Sequence, residues 1–488
     1  MKLSKVLENV AFRGDIIDTE IEDLVYDSRR AAARTVFFCL PGTAVDGRRF
    51  APDAYRRGTR VFVAEQPVEL PEDARLILVE NARIALALAS ASFFGHPAER
   101  LRVIGVTGTK GKTTITQLLR GVLCRAGLRT GLIGTNGVHY GSTFRPTVNT
   151  TPESYELHKY FREMLENGME AVAMEVSSQG IKMHRTEGIV FDTAVFTNLS
   201  PDHIGPGEHE SFEDYLSCKA KLFTQCKNGL INLDDEYASE IVRRSACRIF
   251  GYSLREDTDF TASRLERWKE PNALGMRFSC TAEGEEFPVS ISSPGRFSVY
   301  NALAVIGVCE GLPVKRARVL EALETAMVEG RTQIVPALPY CTVMIDYAHN
   351  ELSLESILST LREYQPKRIV CLFGSVGGRT KLRREGLARA ASRYADELIL
   401  TSDNPDFEDP MQVCRDIARH VDGVPYTIIP DREEAVRWAV SHAREGDVLL
   451  LAGKGHEKYQ LICGKKVSFS EEDIVKREAE RLAGRASF

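Results

Sequence analysis

Val103-Ile104-Gly105-Val106-Thr107-Gly108-Thr109-Lys110-Gly111-Lys112-Thr113-Thr114 is the stretch on which the reading of this chain turns. A β-branched run stops at a glycine-rich turn, and an apolar pattern of 3.6-residue period begins at Gly-Lys-Thr-Thr. This is the layout of a phosphate-binding loop between a strand and a helix. Its glycines let backbone N–H groups close around phosphate oxygens, and the start of the helix adds positive potential. Residues Gly108, Thr109, Lys110, Gly111, Lys112, Thr113 and Thr114 are therefore expected to hold a nucleoside triphosphate. Lys112 would reach the β- and γ-phosphates, and Thr113 would give its hydroxyl to magnesium. The loop is short: in G-x-x-x-x-G-K-[ST] register the first glycine would fall on Val106, so Gly108 and Gly111 serve instead.

At 488 residues the chain is too long for one hydrophobic core, and three domains are expected. An apolar share of 43% and a charged share of 27% suit a soluble globular protein. A net charge of −5 gives no general reason to bind nucleic acid, yet it permits local basic clefts toward an anionic substrate. The 11 cysteines are odd in number and form no Cys-x-x-Cys pair, so neither a disulfide framework nor a zinc site is suggested. Cys39, Cys309 and Cys371 sit in apolar runs, as buried thiols do. Residues 1–15 lack the apolar core of a signal peptide, and no run of about 18 apolar residues occurs. A cytoplasmic protein without membrane insertion is expected.

The order of elements predicts an α/β fold in three parts. Residues 1–98 read as a small α/β unit with strands at 35–40, 60–64 and 76–79 and an alanine-rich helix at 81–94, closed by Gly95-His96-Pro97. Across 99–330, strands at 103–106, 171–176 and 191–197 alternate with helices, which implies a mostly parallel sheet with covered faces. Residues 257–291 change to hairpin character before a helix resumes at 301–310. A break near Glu329-Gly330-Arg331 opens the third part, 331–488, where strands at 343–346, 368–373, 397–401 and 448–452 again alternate with helices.

In open α/β sheets ligands bind beyond the carboxyl ends of the strands. Glu175 closes one such strand, and Asp202-His203 follows another. A carboxylate and an imidazole beside a phosphate loop are candidate magnesium or reaction-centre groups, although oxygen ligands suit Mg²⁺ best and either residue alone is also at home bonding a local turn. Ser211-Phe212-Glu213-Asp214 reads as a capping box that opens a helix. The apolar stripe Phe212, Tyr215, Leu216, Leu222 and Phe223 includes the position of Lys219, which therefore faces inward while Lys221 points elsewhere. A lysine on a buried stripe is costly unless it is paired, neutral or modified; snorkelling to the surface is the plain alternative.

Gly-Thr-Lys-Gly-Lys-Thr, Glu-Val-Ser-Ser, Thr-Asn-Leu-Ser-Pro-Asp-His, Asp-Tyr-Ala-His-Asn and Gly-Lys-Gly-His-Glu occur in that order along the chain. Together they resemble the Mur ligases of peptidoglycan synthesis, most closely the UDP-N-acetylmuramyl-tripeptide synthetases, over almost the whole length. The resemblance implies an N-terminal UDP-binding domain (1–98), a central ATP-binding ligase domain (99–330) and a Rossmann-like C-terminal domain that binds the amino acid (331–488). It implies that Lys112 and Thr113 hold ATP phosphates and Mg²⁺, that Glu175 and His203 complete the metal environment, and that Lys219 is carbamylated by CO₂. Asn301, Arg331, Asp346 and His349 match positions that contact ATP. Ser28, Thr43, Asp46 and Gly47 resemble the segment holding the UDP end, and Asn149, Thr150, Thr151, Ser177 and Arg185 the muramoyl-dipeptide contacts. Arg379, Asp403, Asn404, Asp406 and Glu457 fall at the incoming amino acid.

The chain departs from the family at several places. Lys110 stands where asparagine is usual, and the segment after His203 runs Ile-Gly-Pro-Gly-Glu-His. Asp403-Asn404-Pro405-Asp406 replaces the Asp-Asn-Pro-Arg of enzymes that add meso-diaminopimelate, whose arginine suits a distal carboxylate. Asp406 would repel that group and attract an ammonium, so L-lysine is the expected acceptor and meso-diaminopimelate the alternative; Asp406 facing solvent would select nothing. The implied substrates are ATP, UDP-N-acetylmuramoyl-L-alanyl-D-glutamate and a diamino acid, used by a monomer. A related folylpolyglutamate or cyanophycin-type amide ligase, or an ATP-binding switch without ligation, are the remaining readings. The UDP-segment likeness argues against the former.

Overall fold

The computed structural model describes residues 1–486 apart from positions 15, 43, 44, 203, 206, 271, 379 and 380, so the expectations for Thr43, His203 and Arg379 lie outside the described residues. The chain divides into two compact units, Met1–Thr261 with Leu303–Val319, and Ala262–Ala302 with the residues from Leu320 onward.

In the first unit a parallel sheet runs β1 (Asp23–Val25), β2 (Thr35–Phe38), β3 (Val61–Ala64), β4 (Arg75–Leu78). β2 and β3 are buried at every position, which is why their sequences show no polar alternation: helices cover both faces. Helices α1 (Leu3–Val6) and α3 (Ala82–Phe93) pack with Val36, Phe38 and Val63, whereas α2 (Ala51–Arg56) packs with Phe37 and Phe62. Asn81 caps α3 by accepting from the Arg83 and Ile84 N–H groups.

The central sheet of the same unit contains β5 (Arg102–Thr107), β6 (Thr130–Gly134), β7 (Gly137–Tyr140), β8 (Thr143–Arg145), β9 (Ala171–Glu175), β10 (Phe191–Phe196), β11 (Cys226–Asn232) and β12 (Arg248–Ser253). Their order is β12-β11-β10-β5-β9-β6-β7-β8, parallel except for the β6–β7–β8 meander. Strand β5 thus lies between β10 and β9, so the loop that follows it is flanked by the carboxyl ends of both neighbours. The strands expected at 103–106, 171–176 and 191–197 end within one residue of these. The helices are α4 (Lys112–Arg125), α5 (Ser154–Glu166), α6 (Ser178–Lys182), α7 (Phe212–Lys221) and α8 (Ala238–Arg244). Tyr155 on α5 donates to Asp23 at 2.6 Å and Tyr26 donates to Glu156 at 2.8 Å, tying the two sheets of the unit together. β12 also pairs with the first residues of β13 (Phe260–Glu270).

In the second unit β14 (Ala273–Ala282) and β15 (Glu285–Ile291) form the expected hairpin. Helix α9 (Arg296–Glu310), whose residues from Leu303 onward belong to the first unit, starts before the expected position 301: Ser298, a weak helix former, is held there by donating its hydroxyl to the Pro294 carbonyl. After α10 (Arg316–Glu324) come β16 (Gln333–Val335), β17 (Thr342–Asp346), β18 (Arg368–Phe373), β19 (Glu397–Leu400), β20 (Tyr426–Ile428) and β21 (Asp447–Ala452). They are ordered β16-β17-β21-β18-β19-β20, parallel apart from the edge strand β16. Helices α11 (Glu351–Arg362), α12 (Lys381–Tyr394), α13 (Pro410–Ala418), α14 (Arg432–Ser441) and α15 (Glu471–Ala486) complete the unit, with a small hairpin of β22 (Tyr459–Ile462) and β23 (Lys465–Ser468). All 11 cysteines are free, with Cys39, Cys309 and Cys371 buried. Among the described residues no helix is long and apolar enough to cross a membrane.

Candidate functional site

The glycine-rich loop after β5 is shaped by two glycines in conformations that other residues avoid, Gly108 at φ +148° and Gly111 at φ +88°. A Cβ on Gly108 would also lie 1.9 Å from Thr197 Oγ1. Lys112 curls back over the loop and donates to the Gly108 and Thr109 carbonyls at 2.8 and 3.0 Å. The residues after β10 staple the loop from the side. Thr197 Oγ1 donates to the Lys110 carbonyl at 2.6 Å, and the Lys110 and Thr109 N–H groups donate to Asn198 at 2.9 and 2.8 Å. The staple's only signal in the sequence is Thr-Asn at the carboxyl end of a strand. It fixes the Lys110 backbone; the Lys110 amine is held below the usual lysine range by desolvation, with Asp202 acting the other way.

Glu175, at the end of β9, is 2% exposed. Its Oε2 accepts from Thr113 Oγ1 at 2.9 Å and Thr135 Oγ1 at 3.2 Å, and its Oε1 accepts from the Thr135 N–H at 2.9 Å. A buried carboxylate joined to the hydroxyl of the loop threonine is an all-oxygen donor set, which is what Mg²⁺ takes. Thr135, at the β6–β7 turn, carried no sequence signal.

Helix α7 starts as expected, with the Ser211 side chain accepting from the Asp214 N–H. Lys219 is 1% exposed and donates to the Gly108 carbonyl at 2.9 Å, the same oxygen that Lys112 reaches. Burial drives its amine well below the ordinary lysine range, and the neighbouring Lys112 ammonium pushes the same way. Lys221 points outward and pairs with Glu187 at 3.0 Å. The structure therefore brings Lys112, Thr113, Glu175 and Lys219 to one end of the central sheet.

Beside them lies a chain of hydroxyls. Thr150 Oγ1 is 3.1 Å from Thr135 Oγ1, and Thr151 Oγ1 donates to the Glu175 carbonyl at 2.9 Å and lies 3.2 Å from Ser177 Oγ. Ser177 caps α6. Arg185 donates to Glu153 at 2.6 Å and to the Thr151 carbonyl at 3.0 Å; Arg83 holds the other Glu153 oxygen at 3.3 Å. Asn149 sits in the segment leading into this chain. In the N-terminal sheet Ser28 is buried, Asp46 accepts from the Arg48 N–H and guanidinium, and Gly47 packs so closely that a Cβ would meet the Leu40 carbonyl at 2.6 Å.

In the second unit Asp346 ends β17 and accepts from the Thr332 and Ala348 N–H groups at 2.7 and 2.8 Å; burial raises its pKa against the pull of Arg331. The Arg331 guanidinium stands over the Tyr347 ring at 4.4 Å, and His349 Nδ1 lies 2.8 Å from the Tyr347 carbonyl. Asn301 is on α9. A separate cluster joins Asn404, Glu457 and the fully buried Lys454: Lys454 Nζ donates to Asn404 Oδ1 at 2.8 Å and to Glu457 at 2.6 Å, Asn404 Nδ2 donates to Glu457 at 2.9 Å, and Asp403 is 3.7 Å from the ammonium. Lys454 lies in Gly-Lys-Gly-His-Glu, and nothing local in that motif signals that it meets Asn404. Asp406, by contrast, adopts φ +53°, and its Oδ1 accepts from the Gly464 N–H at 2.7 Å, so it anchors the β22–β23 hairpin.

Residues 20–99 match the Mur ligase family catalytic domain, residues 106–309 the Mur ligase middle domain and residues 330–455 the Mur ligase glutamate ligase domain. The UDP-N-acetylmuramoyl-L-alanyl-D-glutamate–2,6-diaminopimelate ligase of Clostridium perfringens is 37% identical over 467 residues, spanning 94% of this chain and 95% of its own. The enzyme of the same name from Geobacillus kaustophilus is 39% identical over 470 residues, 94% of each chain. A solved structure of a UDP-N-acetylmuramoyl-L-alanyl-D-glutamate–2,6-diaminopimelate ligase superposes with a TM-score of 0.74 at 26% identity, covering 99% of both chains. The expected preference for lysine finds no support: these relatives are named for diaminopimelate, and the residue that suggested lysine is engaged in holding a hairpin.

Proposed function

The chain belongs to the Mur ligase family, with its three-domain α/β architecture, and we propose that this ATP-dependent tripeptide synthetase joins meso-diaminopimelate to UDP-N-acetylmuramoyl-L-alanyl-D-glutamate. The choice of acceptor is supported by the names of relatives aligned over nearly the whole chain. The chemistry is carried by one observation, the Lys219 amine buried over the Gly108 carbonyl beside Lys112, Thr113 and Glu175.

The substrate carboxylate attacks the γ-phosphorus of ATP, the bond to the β-phosphate oxygen breaks, and ADP leaves an acyl phosphate. Lys112 and the loop N–H groups face the charge that spreads over the phosphoryl oxygens. Magnesium, when bound, would neutralise phosphate charge; Thr113, Glu175 and His203 are the residues proposed to hold it. Lys219, kept neutral by burial, takes up CO₂ to give a carbamate and a proton, which places a carboxylate on α7 next to the loop. The neutral α-amine of the incoming amino acid then attacks the acyl carbon, loses its proton, and the tetrahedral intermediate expels phosphate to leave the amide.

Asn301, Arg331, Asp346 and His349 are assigned to ATP. Ser28, Thr43, Asp46 and Gly47 are assigned to the UDP end, and Asn149, Thr150, Thr151, Ser177 and Arg185 to the muramoyl dipeptide. Arg379, Asp403, Asn404 and Glu457 are assigned to the amino acid. Domains of 1–98, 99–330 and 331–488, a monomeric state without nucleic-acid partners, and a cytoplasmic role in cell-wall precursor synthesis complete the proposal.

Purified protein with ATP, Mg²⁺ and the UDP-muramoyl dipeptide, offered meso-diaminopimelate, lysine and ornithine in parallel, tests it. Phosphate release should require all substrates and be fastest with meso-diaminopimelate. Turnover with nucleotide alone would overturn the ligase reading, and faster turnover with lysine would overturn the acceptor. A Lys219→Ala variant should be inactive and recover with short-chain carboxylates.

A further inference from the structure

The segment between β10 and α7 carries a histidine that the ligase reading leaves without a role. His209 is 1% exposed, and its two ring nitrogens meet different helices: Nδ1 lies 3.0 Å from Asp214 Oδ2 on α7, and Nε2 lies 2.8 Å from Ser178 Oγ on α6. A carboxylate only accepts, so Nδ1 carries a proton and the serine hydroxyl meets Nε2. Lys182, at the far end of α6, donates to the same Asp214 oxygen at 2.7 Å and to the Glu208 carbonyl at 3.3 Å. Burial works against the charge on Asp214, but hydrogen bonds from Lys182 and His209 hold its carboxyl at about 2. His209, Asp214 and Cys218 bring three ligand-type atoms within 4.8 Å of one another, yet no metal is called for, because the Lys182 ammonium already supplies the cation.

The next residues of α7 reach the phosphate loop. Tyr215 Oη is 3.1 Å from Thr109 Oγ1, and Lys219 Nζ donates to the Gly108 carbonyl. Helix α6 follows directly on Glu175 through Ser177. A hydrogen-bonded chain from Ser178 through His209 to Asp214 therefore links the helix that follows Glu175 to the helix that carries Lys219. We propose that His209 is a positioning residue: by bridging Ser178 to Asp214 it docks α7 on α6 and keeps the Lys219 amine buried over the loop, in the state that takes up CO₂. This rests on the Lys219 reading given above.

Carbamate formation joins the lysine nitrogen to the carbon of CO₂ and releases one proton to solvent, so ¹³C-labelled bicarbonate with NMR counts it directly. The side-chain amide of His209→Asn stands where Nδ1 stands and keeps the Asp214 link; that of His209→Gln stands where Nε2 stands and keeps the Ser178 link; His209→Phe keeps only bulk. The Phe variant should lose carbamate occupancy and kcat together, by about tenfold at low bicarbonate, with added bicarbonate restoring both and KM for the UDP substrate within about twofold of the parent. The Asn and Gln variants should fall between, and Ser178→Ala and Asp214→Asn give the same comparison if the Phe variant does not fold. Wild-type occupancy and kcat in the Phe variant would overturn the inference, as would lost kcat at full occupancy. Product formation by wild type without any carbamate signal would instead remove the Lys219 reading beneath it.

Discussion

A Lys219→Met substitution is expected to raise the stability of the protein while ending its ligase activity, and both halves follow from where the amine sits. Lys219 is buried on the apolar stripe of α7 and donates to the Gly108 carbonyl, which keeps Lys112 as a donor at 2.8 Å when Lys219 is gone. Losing that hydrogen bond costs about 1 kcal/mol. Desolvating the amine costs roughly 1–3 kcal/mol even when it is neutral. Folding must also strip its proton. With the folded pKa pushed below the unfolded value of about 10.4, the unfolded chain binds more protons between the two values, and wild-type stability climbs with pH by up to about 1.4 kcal/mol per unit. Below the folded pKa the full penalty is present. The methionine variant escapes it, so its advantage should be largest in acid and shrink as pH rises between the two values, by up to about 1.4 kcal/mol per unit, to its smallest toward about pH 10. Urea midpoints of both proteins in CO₂-free buffers across that range, with phosphate release measured alongside, read both effects. A variant less stable at every pH, or a gap independent of pH, would show that the amine is not held neutral by burial. Retained ligation would remove it from the chemistry.

Three further substitutions probe the remaining groups. Glu175→Gln can still offer its carbonyl to the Thr135 N–H and its amide nitrogen to the Thr113 and Thr135 hydroxyls, which can turn to accept, so unfolding midpoints should shift by no more than about 1 kcal/mol while ligation falls at least about 100-fold; a rate within tenfold of wild type would exclude Glu175 from the phosphate site. Glu457→Gln weakens two charge-assisted contacts, to Lys454 and Asn404, and should raise KM for the diamino acid about tenfold with KM for ATP unchanged; an equal rise in both would point to general loosening. Asp406→Asn keeps an acceptor for the Gly464 N–H, so the ratio of kcat/KM between meso-diaminopimelate and lysine should stay within about threefold, and a swing toward meso-diaminopimelate would return Asp406 to the acceptor pocket.

The parts of the fold legible in the sequence are those in which one chain segment carries its own signal. The β5 strand, its glycine turn and the opening of α4 are contiguous, and so are the Ser211 cap and the apolar stripe that turns Lys219 inward. Partnerships across the sheet are not. Thr135 meets Glu175 from another strand's turn, and Thr197 and Asn198 meet the phosphate loop only because β10 lies beside β5. The orientation of Asp406 was hidden for the same reason: its carboxylate is claimed by the Gly464 N–H, on a hairpin turn far along the chain.

Charge also limits how far Asp406 could select between the two acceptors. The distal end of meso-diaminopimelate is itself an amino acid, carrying an ammonium and a carboxylate on one carbon, whereas lysine ends in an ammonium alone. Two unit charges about 4 Å apart near a protein surface interact by roughly 4 kcal/mol, so an aspartate facing a lysine tail would gain a term of that order. Facing diaminopimelate it would gain a similar term from the ammonium and lose much of it to the carboxylate, leaving a remainder set by small differences in distance. Discrimination of tenfold or more, about 1.4 kcal/mol, therefore needs a cation on the distal carboxylate or a close, unshared approach of Asp406 to the ammonium. One Asp406 oxygen already accepts at 2.7 Å from the Gly464 N–H, which weakens the second of these. The residue type at this position sets which distal charge is favoured, while the hairpin that holds it sets how strongly, and only the former can be read from Asp-Asn-Pro-Asp.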